Sequence, residues 1–123
     1  MIYLTVIPGH KRKKITQQIQ STVELMDDKL VMVSVCKADL QESDDESMPA
    51  VNQFLSVKTV VKRQFITGLT IQYYHDIDLW GVEIYVIGGA GCEPCFKEER
   101  QAIAFIDDLL EWSSKLSVYP HVN

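Results

Sequence analysis

The sequence has little of what extracellular, membrane or nucleic-acid-binding proteins usually carry. Three cysteines in 123 residues are too few for a disulfide framework, which favours a reducing, cytoplasmic setting. No apolar run approaches the roughly 18–20 residues of a membrane span, and the opening MIYLTVI lacks a signal-peptide pattern. The net charge of −5 argues against general nucleic-acid binding through a basic face. We therefore expect a cytoplasmic protein without a membrane-spanning part.

The composition is that of an ordinary globular domain, with 46% hydrophobic and 24% charged residues. A chain of this length can bury a core without disulfides, so we expect a single domain over 1–123. The acidic stretch within 38–48 is expected to be a mobile, solvated loop, and 117–123 a C-terminal tail without a regular element.

Hydrophobic periodicity predicts alternating strands and helices. The predicted elements are a strand at 2–7, a helix at 11–28, a strand at 30–36, a helix at about 48–64, strands at 68–75 and 80–89, and a helix at 95–116. The first helix depends on a stripe formed by Ile15, Ile19, Val23 and Met26. A strand at 57–62 competes with the second helix, because valine and threonine favour strands. The two strands on either side of 76–78 are expected to form an antiparallel hairpin.

This β-α-β-α-β-β-α order resembles the thioredoxin-like fold. KLVMVSVCKADLQESD is similar to the second strand and following loop of that family, TGLTIQYYHDIDLWGVEIYVIGG to its third and fourth strands, and EERQAIAFIDDLLEW to its last helix. The resemblance implies a small two-layer or three-layer α/β domain with a mixed four-stranded sheet in the order 2-1-3-4. The family places its C-x-x-C after the first strand, where this chain has VIPGHKRKK, and its cis-proline where this chain has Thr67-Gly68. The resemblance therefore implies that the ordinary active site is absent and transfers no catalytic residue.

Cys92 and Cys95 form a C-x-x-C motif directly after a glycine-rich run at 88–91. Pro94 suits the first position of a helix, which would place Cys95 in the first turn. Free N–H groups and the helix dipole lower a thiol pKa there, whereas the charge of Glu93 raises it. The pair is a candidate thiol–disulfide or thiol-switch site; alternatively, both cysteines are small, half-buried residues at a helix start.

A small anionic ligand, such as a phosphate or a nucleotide, is a further candidate. Gly89 and Gly91 would let the backbone approach the ligand, and His10, Lys11 and Arg12 would supply side chains from the basic cluster at 10–14. In the expected sheet these segments share the edge formed by the carboxyl ends of the strands. The alternative is that the basic cluster is ordinary solvated surface.

We expect neither a metal site nor a cofactor. A closed zinc site needs four ligands, and only one C-x-x-C pair is present. In the expected sheet Cys36 would lie three strand spacings from that pair, roughly 14 Å at about 4.8 Å each.

The candidate partner surfaces are the last helix and the acidic loop. Phe105 and Trp112 are seven residues apart, on one helix face, and could contact a partner or a second copy of the chain. Asp44 and Asp45 could face a basic partner. The alternatives are a deeply buried helix and a solvated loop.

No catalytic set of side chains can be assembled from residue spacing. The sequence therefore argues against enzymatic activity without excluding it. We expect a non-catalytic binding or regulatory protein, of the accessory or inhibitor type, that acts on a protein partner and forms a homo-oligomer as one option. The alternatives are a thiol switch at Cys92 and Cys95, and capture of an anion at 88–91 with the 10–14 cluster.

Overall fold

The computed structural model describes residues 1–6, 15–39, 52–114 and 116–119, and this part of the chain is rich in β-strands with one α-helix. The elements are β1 (Ile2–Leu4), β2 (Ile15–Leu25), β3 (Lys29–Asp39), β4 (Asn52–Lys62), a 3₁₀ turn (Arg63–Phe65), β5 (Ile66–Tyr74), β6 (Leu79–Val86), β7 (Gly89–Cys92), β8 (Cys95–Phe96), α1 (Glu99–Trp112) and β9 (Ser117–Val118).

These strands form two sheets, so the predicted thioredoxin-like α/β fold is wrong. The N-terminal sheet is an antiparallel meander in the order β1-β2-β3-β4. The C-terminal sheet has the order β7-β6-β5-β9, and β8 also pairs with β6. The expected mixed four-stranded sheet in the order 2-1-3-4 does not occur in the described residues.

The segment predicted as a helix at 11–28 contains β2 instead. Ser21, Val23 and Leu25 are buried, whereas Thr22 and Glu24 between them are half-exposed. This alternation has the period of a strand, in which successive side chains point to opposite faces. The apolar residues of this segment also fit a helical stripe, and pairing with β3 decides between the two periods.

The second predicted helix, at about 48–64, is also wrong. β4 runs from Asn52 to Lys62 and pairs with β3 along its whole length. The competing prediction of a strand at 57–62 is confirmed. Val57, Thr59, Val60 and Val61 are β-branched, and such side chains suit a pleated strand better than a helix.

The second half of the chain contains the local elements that the sequence predicts. β5 and β6 form the expected antiparallel hairpin. The last helix is confirmed over 99–112, and it begins four residues later than predicted. Glu98 and Gln101 form a capping box there, with Glu98 N donating to Gln101 Oε1 at 3.2 Å.

The tail predicted without regular structure contains β9, which pairs in parallel with β5. Tyr119 N donates to Leu69 O at 2.7 Å, and Thr70 Oγ1 donates to Tyr119 O at 2.8 Å. A Cβ on Gly68 would lie 2.3 Å from the Tyr119 ring, so the tail can lie this close only because residue 68 has no side chain.

One hydrophobic core joins both sheets and the helix. Phe105 on α1 is fully buried, and its ring centre lies 5.1 Å from that of Tyr3 in the N-terminal sheet. On its other side it lies 5.4 Å from the ring centre of Phe96 in β8. The buried cluster consists of Val23, Leu25, Leu30, Val61, Ile66, Leu69, Val82, Ile84, Phe96, Ala102, Phe105 and Leu109. Helix α1 therefore buries its apolar face against both sheets.

No helix in the described residues is both long enough and apolar enough to cross a membrane.

We expect Phe105→Ala to lower the free energy of unfolding by about 3–5 kcal/mol, because it removes a ring that contacts both sheets. Urea unfolding followed by circular dichroism measures the change. Ile103→Ala is the matched control, since Ile103 lies on the same helix and is 44% exposed. The control should change the unfolding free energy by only about 0.5 kcal/mol. Equal losses in the two variants would contradict the assignment of Phe105 to the core.

Candidate functional site

The C-x-x-C motif lies in a strand at the edge of the C-terminal sheet. β7 ends at Cys92 opposite Ile84, and β8 begins at Cys95 opposite Gly81. Glu93 and Pro94 interrupt the strand between them, although Pro94 O still accepts a hydrogen bond from β6 at 3.0 Å. The motif is therefore not at the start of a helix, as the sequence predicted, because α1 begins only at Glu99.

Both thiols are poorly suited to form thiolates. Cys95 is fully buried, and its Sγ lies 3.7 Å from the Glu93 carbonyl oxygen, to which it donates. Burial, followed by the charge of Glu93, raises the pKa of Cys95 to about 12. The same two causes, in the same order, raise the pKa of Cys92 to about 12. A reactive thiolate needs positive charge or a helix N-terminus nearby, and this strand provides neither. The thiol-switch hypothesis gains no support from this geometry.

Glu93, which lies between the two cysteines, is held by two side chains of β5. Its carboxylate accepts a hydrogen bond from Tyr74 OH at 2.5 Å and another from Gln72 Nε2 at 2.8 Å. Burial and the bond to Glu93 raise the pKa of Tyr74. These contacts hold the segment between the two cysteines in place.

The glycine-rich run forms a hairpin turn between β6 and β7. Gly88 has a φ of 93°, a conformation that residues with a side chain rarely adopt. Gly89 and Gly91 lie in β7, and nine residues separate Gly89 from the first residue of α1. The free N–H groups that the anion hypothesis invoked are therefore not adjacent to this turn. His10, Lys11 and Arg12 lie outside the described residues, so the basic part of that hypothesis stays a prediction.

The structure places the predicted partner residues in different environments. Phe105 is in the core and is not accessible to a partner. Trp112 is half-buried, and its Nε1 donates to Met26 O at 2.5 Å. The Arg63 guanidinium lies 5.8 Å from the centre of its ring. Asp44 and Asp45 lie outside the described residues. Phe105 and Trp112 thus do not form a shared exposed surface.

A groove that the sequence did not predict lies where the two sheets meet. It has a volume of about 400 Å³ and is lined by residues 59–62 of β4, Phe65 of the 3₁₀ turn, Val86 at the end of β6, Ile87 directly after it, and Gly91 of β7. We call it the edge groove. Three of its apolar side chains are open to solvent: Ile87 is 69% exposed, Val60 is 50% and Phe65 is 44%.

The edge groove runs alongside β4 and not over one face of it. Four consecutive residues of β4 line the groove, although successive side chains of a strand point to opposite faces. β4 is the last strand of the N-terminal sheet, and β7 is the last strand of the C-terminal sheet. Among the described strands only β3 pairs with β4, so the backbone groups on the outer side of β4 have no strand partner.

The sequence carries part of the signal for this groove. In the run SVKTVVK, Lys58, Val60 and Lys62 fall at every second position, and lysines on one face are typical of an edge strand with a solvent-facing side. Nothing in the sequence brings Ile87 close to this run, because 25 positions separate it from Lys62 and only the fold joins them.

No group of three or more histidine, cysteine, aspartate or glutamate residues in the described ranges could hold a metal ion. In the part of the chain with described side chains, Cys92 and Cys95 are free thiols.

No protein-family model, curated protein or solved structure matches this chain.

We expect Cys92 and Cys95 to react with iodoacetamide at pH 8 at least about tenfold more slowly in the folded protein than in urea, because a pKa of about 12 leaves almost no thiolate. Peptide mass spectrometry measures the rate at each cysteine separately. The unfolded protein in urea is the control, where burial no longer acts on either thiol. Fast labelling of Cys92 in the folded state would contradict the raised pKa and would support a thiol switch.

Proposed function

We propose that this protein is a non-catalytic binding or regulatory module, of the accessory or inhibitor type, that holds a partner protein at the edge groove. The observation that carries the proposal is an exposed apolar groove alongside a strand edge with which no described strand pairs.

The exposed side chains have the character of an interface centre. Apolar and aromatic residues are enriched at the core of protein interfaces, and exposed apolar patches mark sites of contact. Phe65 and Ile87 come from different elements yet line one groove. Covering them removes apolar surface from water, which favours binding.

The strand edge offers a second source of affinity. An unpaired edge presents a row of N–H and C=O groups, and an added strand can pair with them. Main-chain hydrogen bonds then provide affinity and the neighbouring pockets provide selectivity. The edge groove combines both features along residues 59–62.

We expect Ile87→Asp to reduce partner capture by about tenfold, because it places a charge where an apolar contact would be desolvated. The measurement is affinity capture from a lysate of expressing cells, with each captured protein quantified by mass spectrometry. Ile87 is 69% exposed, so the variant should fold, and circular dichroism checks this.

Ile103→Asp is the control, since it puts the same charge on an exposed isoleucine of α1. A partner of the groove is retained by the control at the level of the unmodified protein and lost by Ile87→Asp. If both variants retain every captured protein equally, the edge groove is not the binding site and the proposal fails.

A further inference from the structure

We infer that the edge groove accepts an extended partner segment that pairs with β4 and carries acidic residues beside Lys58 and Lys62. The inference rests on the proposed function and names the chemistry of the partner: a strand with an acidic–x–apolar–x–acidic pattern.

The face of β4 that points away from the core has an alternating basic and apolar pattern. Lys58, Val60 and Lys62 occupy every second position and therefore share one face. Val61, between Val60 and Lys62, belongs to the buried core on the other face. An added strand would bring its own outward side chains beside these three residues, because directly opposite side chains on neighbouring strands share a face.

The charge on this face is unbalanced. Lys62 lies directly opposite Lys29 of β3, and like charges in that position repel. Neither lysine forms an ion pair with a described carboxylate; the ion pair among the described side chains joins Arg100 and Glu98. Across this face Glu24 lies two strands away from β4, with Val31 between. A carboxylate on the outer side of β4 would offset this repulsion, although the protein as a whole has a net charge of −5.

The same pattern disfavours a second copy of β4 as the occupant. Antiparallel pairing of two β4 strands centred on Val60 would set Lys58 of each copy against Lys62 of the other. In-register parallel pairing would set each lysine against itself. Both of these registers place like charges directly opposite one another, whereas an acidic strand in the same register would place opposite charges there.

The available length suits a short segment. β7 contacts β4 through the core-facing side chain of Val61, where a Cβ on Gly91 would lie 3.7 Å from Val61 Cγ2. No described strand pairs with the outer edge of β4 from Ser56 to Lys62. These residues, 56–62, span about 24 Å at roughly 3.4 Å per residue. The apolar residue of the partner would lie beside Val60, next to the exposed Ile87.

A capped seven-residue peptide tests the inference directly. It alternates threonine with glutamate, valine and glutamate, so that the acids flank the valine on one face. Titration into the ¹⁵N-labelled full chain should shift the backbone amide signals of residues 56–62 and of Ile87. Replacing both glutamates with lysine should weaken binding by about tenfold. Equal binding of the two peptides, or no binding of the acidic one, would overturn the inference.

Charge exchange shows whether the two lysines make the contact. We expect Lys58→Glu with Lys62→Glu to lose the acidic peptide and to bind the lysine peptide instead. Lys97→Glu is the control, because Lys97 is exposed and lies outside the groove, and it should change affinity by no more than about twofold. If the doubly substituted protein did not bind the lysine peptide, direct pairing of the charges would be contradicted.

N-methylation of the peptide backbone separates strand pairing from other modes of binding. In a strand, the N–H groups of every second residue point toward the same neighbouring strand. Methyl groups on the peptide nitrogens that face β4 should therefore abolish binding, and methyl groups on the other nitrogens should leave it unchanged. Equal effects at both parities would rule out pairing with β4.

These experiments distinguish this inference from the proposed function. If Ile87→Asp abolishes capture of a partner but Lys58→Glu with Lys62→Glu does not, the groove binds a protein and the acidic-strand inference is wrong. If neither variant affects capture and the peptide does not bind, both are wrong.

Discussion

The burial of Phe105 between the two sheets is the contact on which the rest of this structure depends. The N-terminal sheet brings Tyr3 to one side of the ring and the C-terminal sheet brings Phe96 to the other. Both sheets are open in the described residues, so each must cover its apolar face with another element. Helix α1 does this for both, and its polar surface remains in solvent. The protein therefore has a single core, because one helix packs against both open sheets.

Open sheets have edges, and two of those in the described residues, β4 and β7, adjoin the groove. β4 is an end strand of the N-terminal sheet and β7 is an end strand of the C-terminal sheet, and residues of both line the edge groove. Lysines on an edge strand discourage pairing between copies of one chain. The same lysines favour a strand of opposite charge, so protection from self-association and selection of a partner can have one physical cause. The apolar side chains at the end of the groove add contact area that charge alone would not provide.

The C-x-x-C motif shows how strongly the meaning of a pattern depends on its surroundings. Near a helix N-terminus, Cys92 and Cys95 would have a lowered pKa and enhanced reactivity. In an edge strand next to Glu93, burial and negative charge raise the pKa of both thiols. The residues that hold Glu93, Tyr74 and Gln72, come from β5, about twenty positions earlier in the chain. The environment of the thiols thus comes from tertiary contacts.

The local sequence predicts those elements whose residue pattern lies entirely within the element itself. The β5–β6 hairpin follows from two alternating runs separated by a short polar turn, and α1 follows from its amphipathic pattern and capping box. The helices predicted over segments 15–25 and 52–62 are wrong, and only the competing strand at 57–62 is confirmed, because the apolar residues of both segments fit a helical and a strand period. Pairing with β3 from both sides decided for strands, and that contact is not local. The edge groove likewise joins residues 59–65 to residues 86–91. The sequence by itself determined the β5–β6 hairpin, helix α1 and the placement of Lys58 and Lys62 on one face of a strand. Only the tertiary structure decided that β4 would be an edge and that Ile87 would lie beside it, because strand neighbours are chosen by long-range burial and hydrogen bonding.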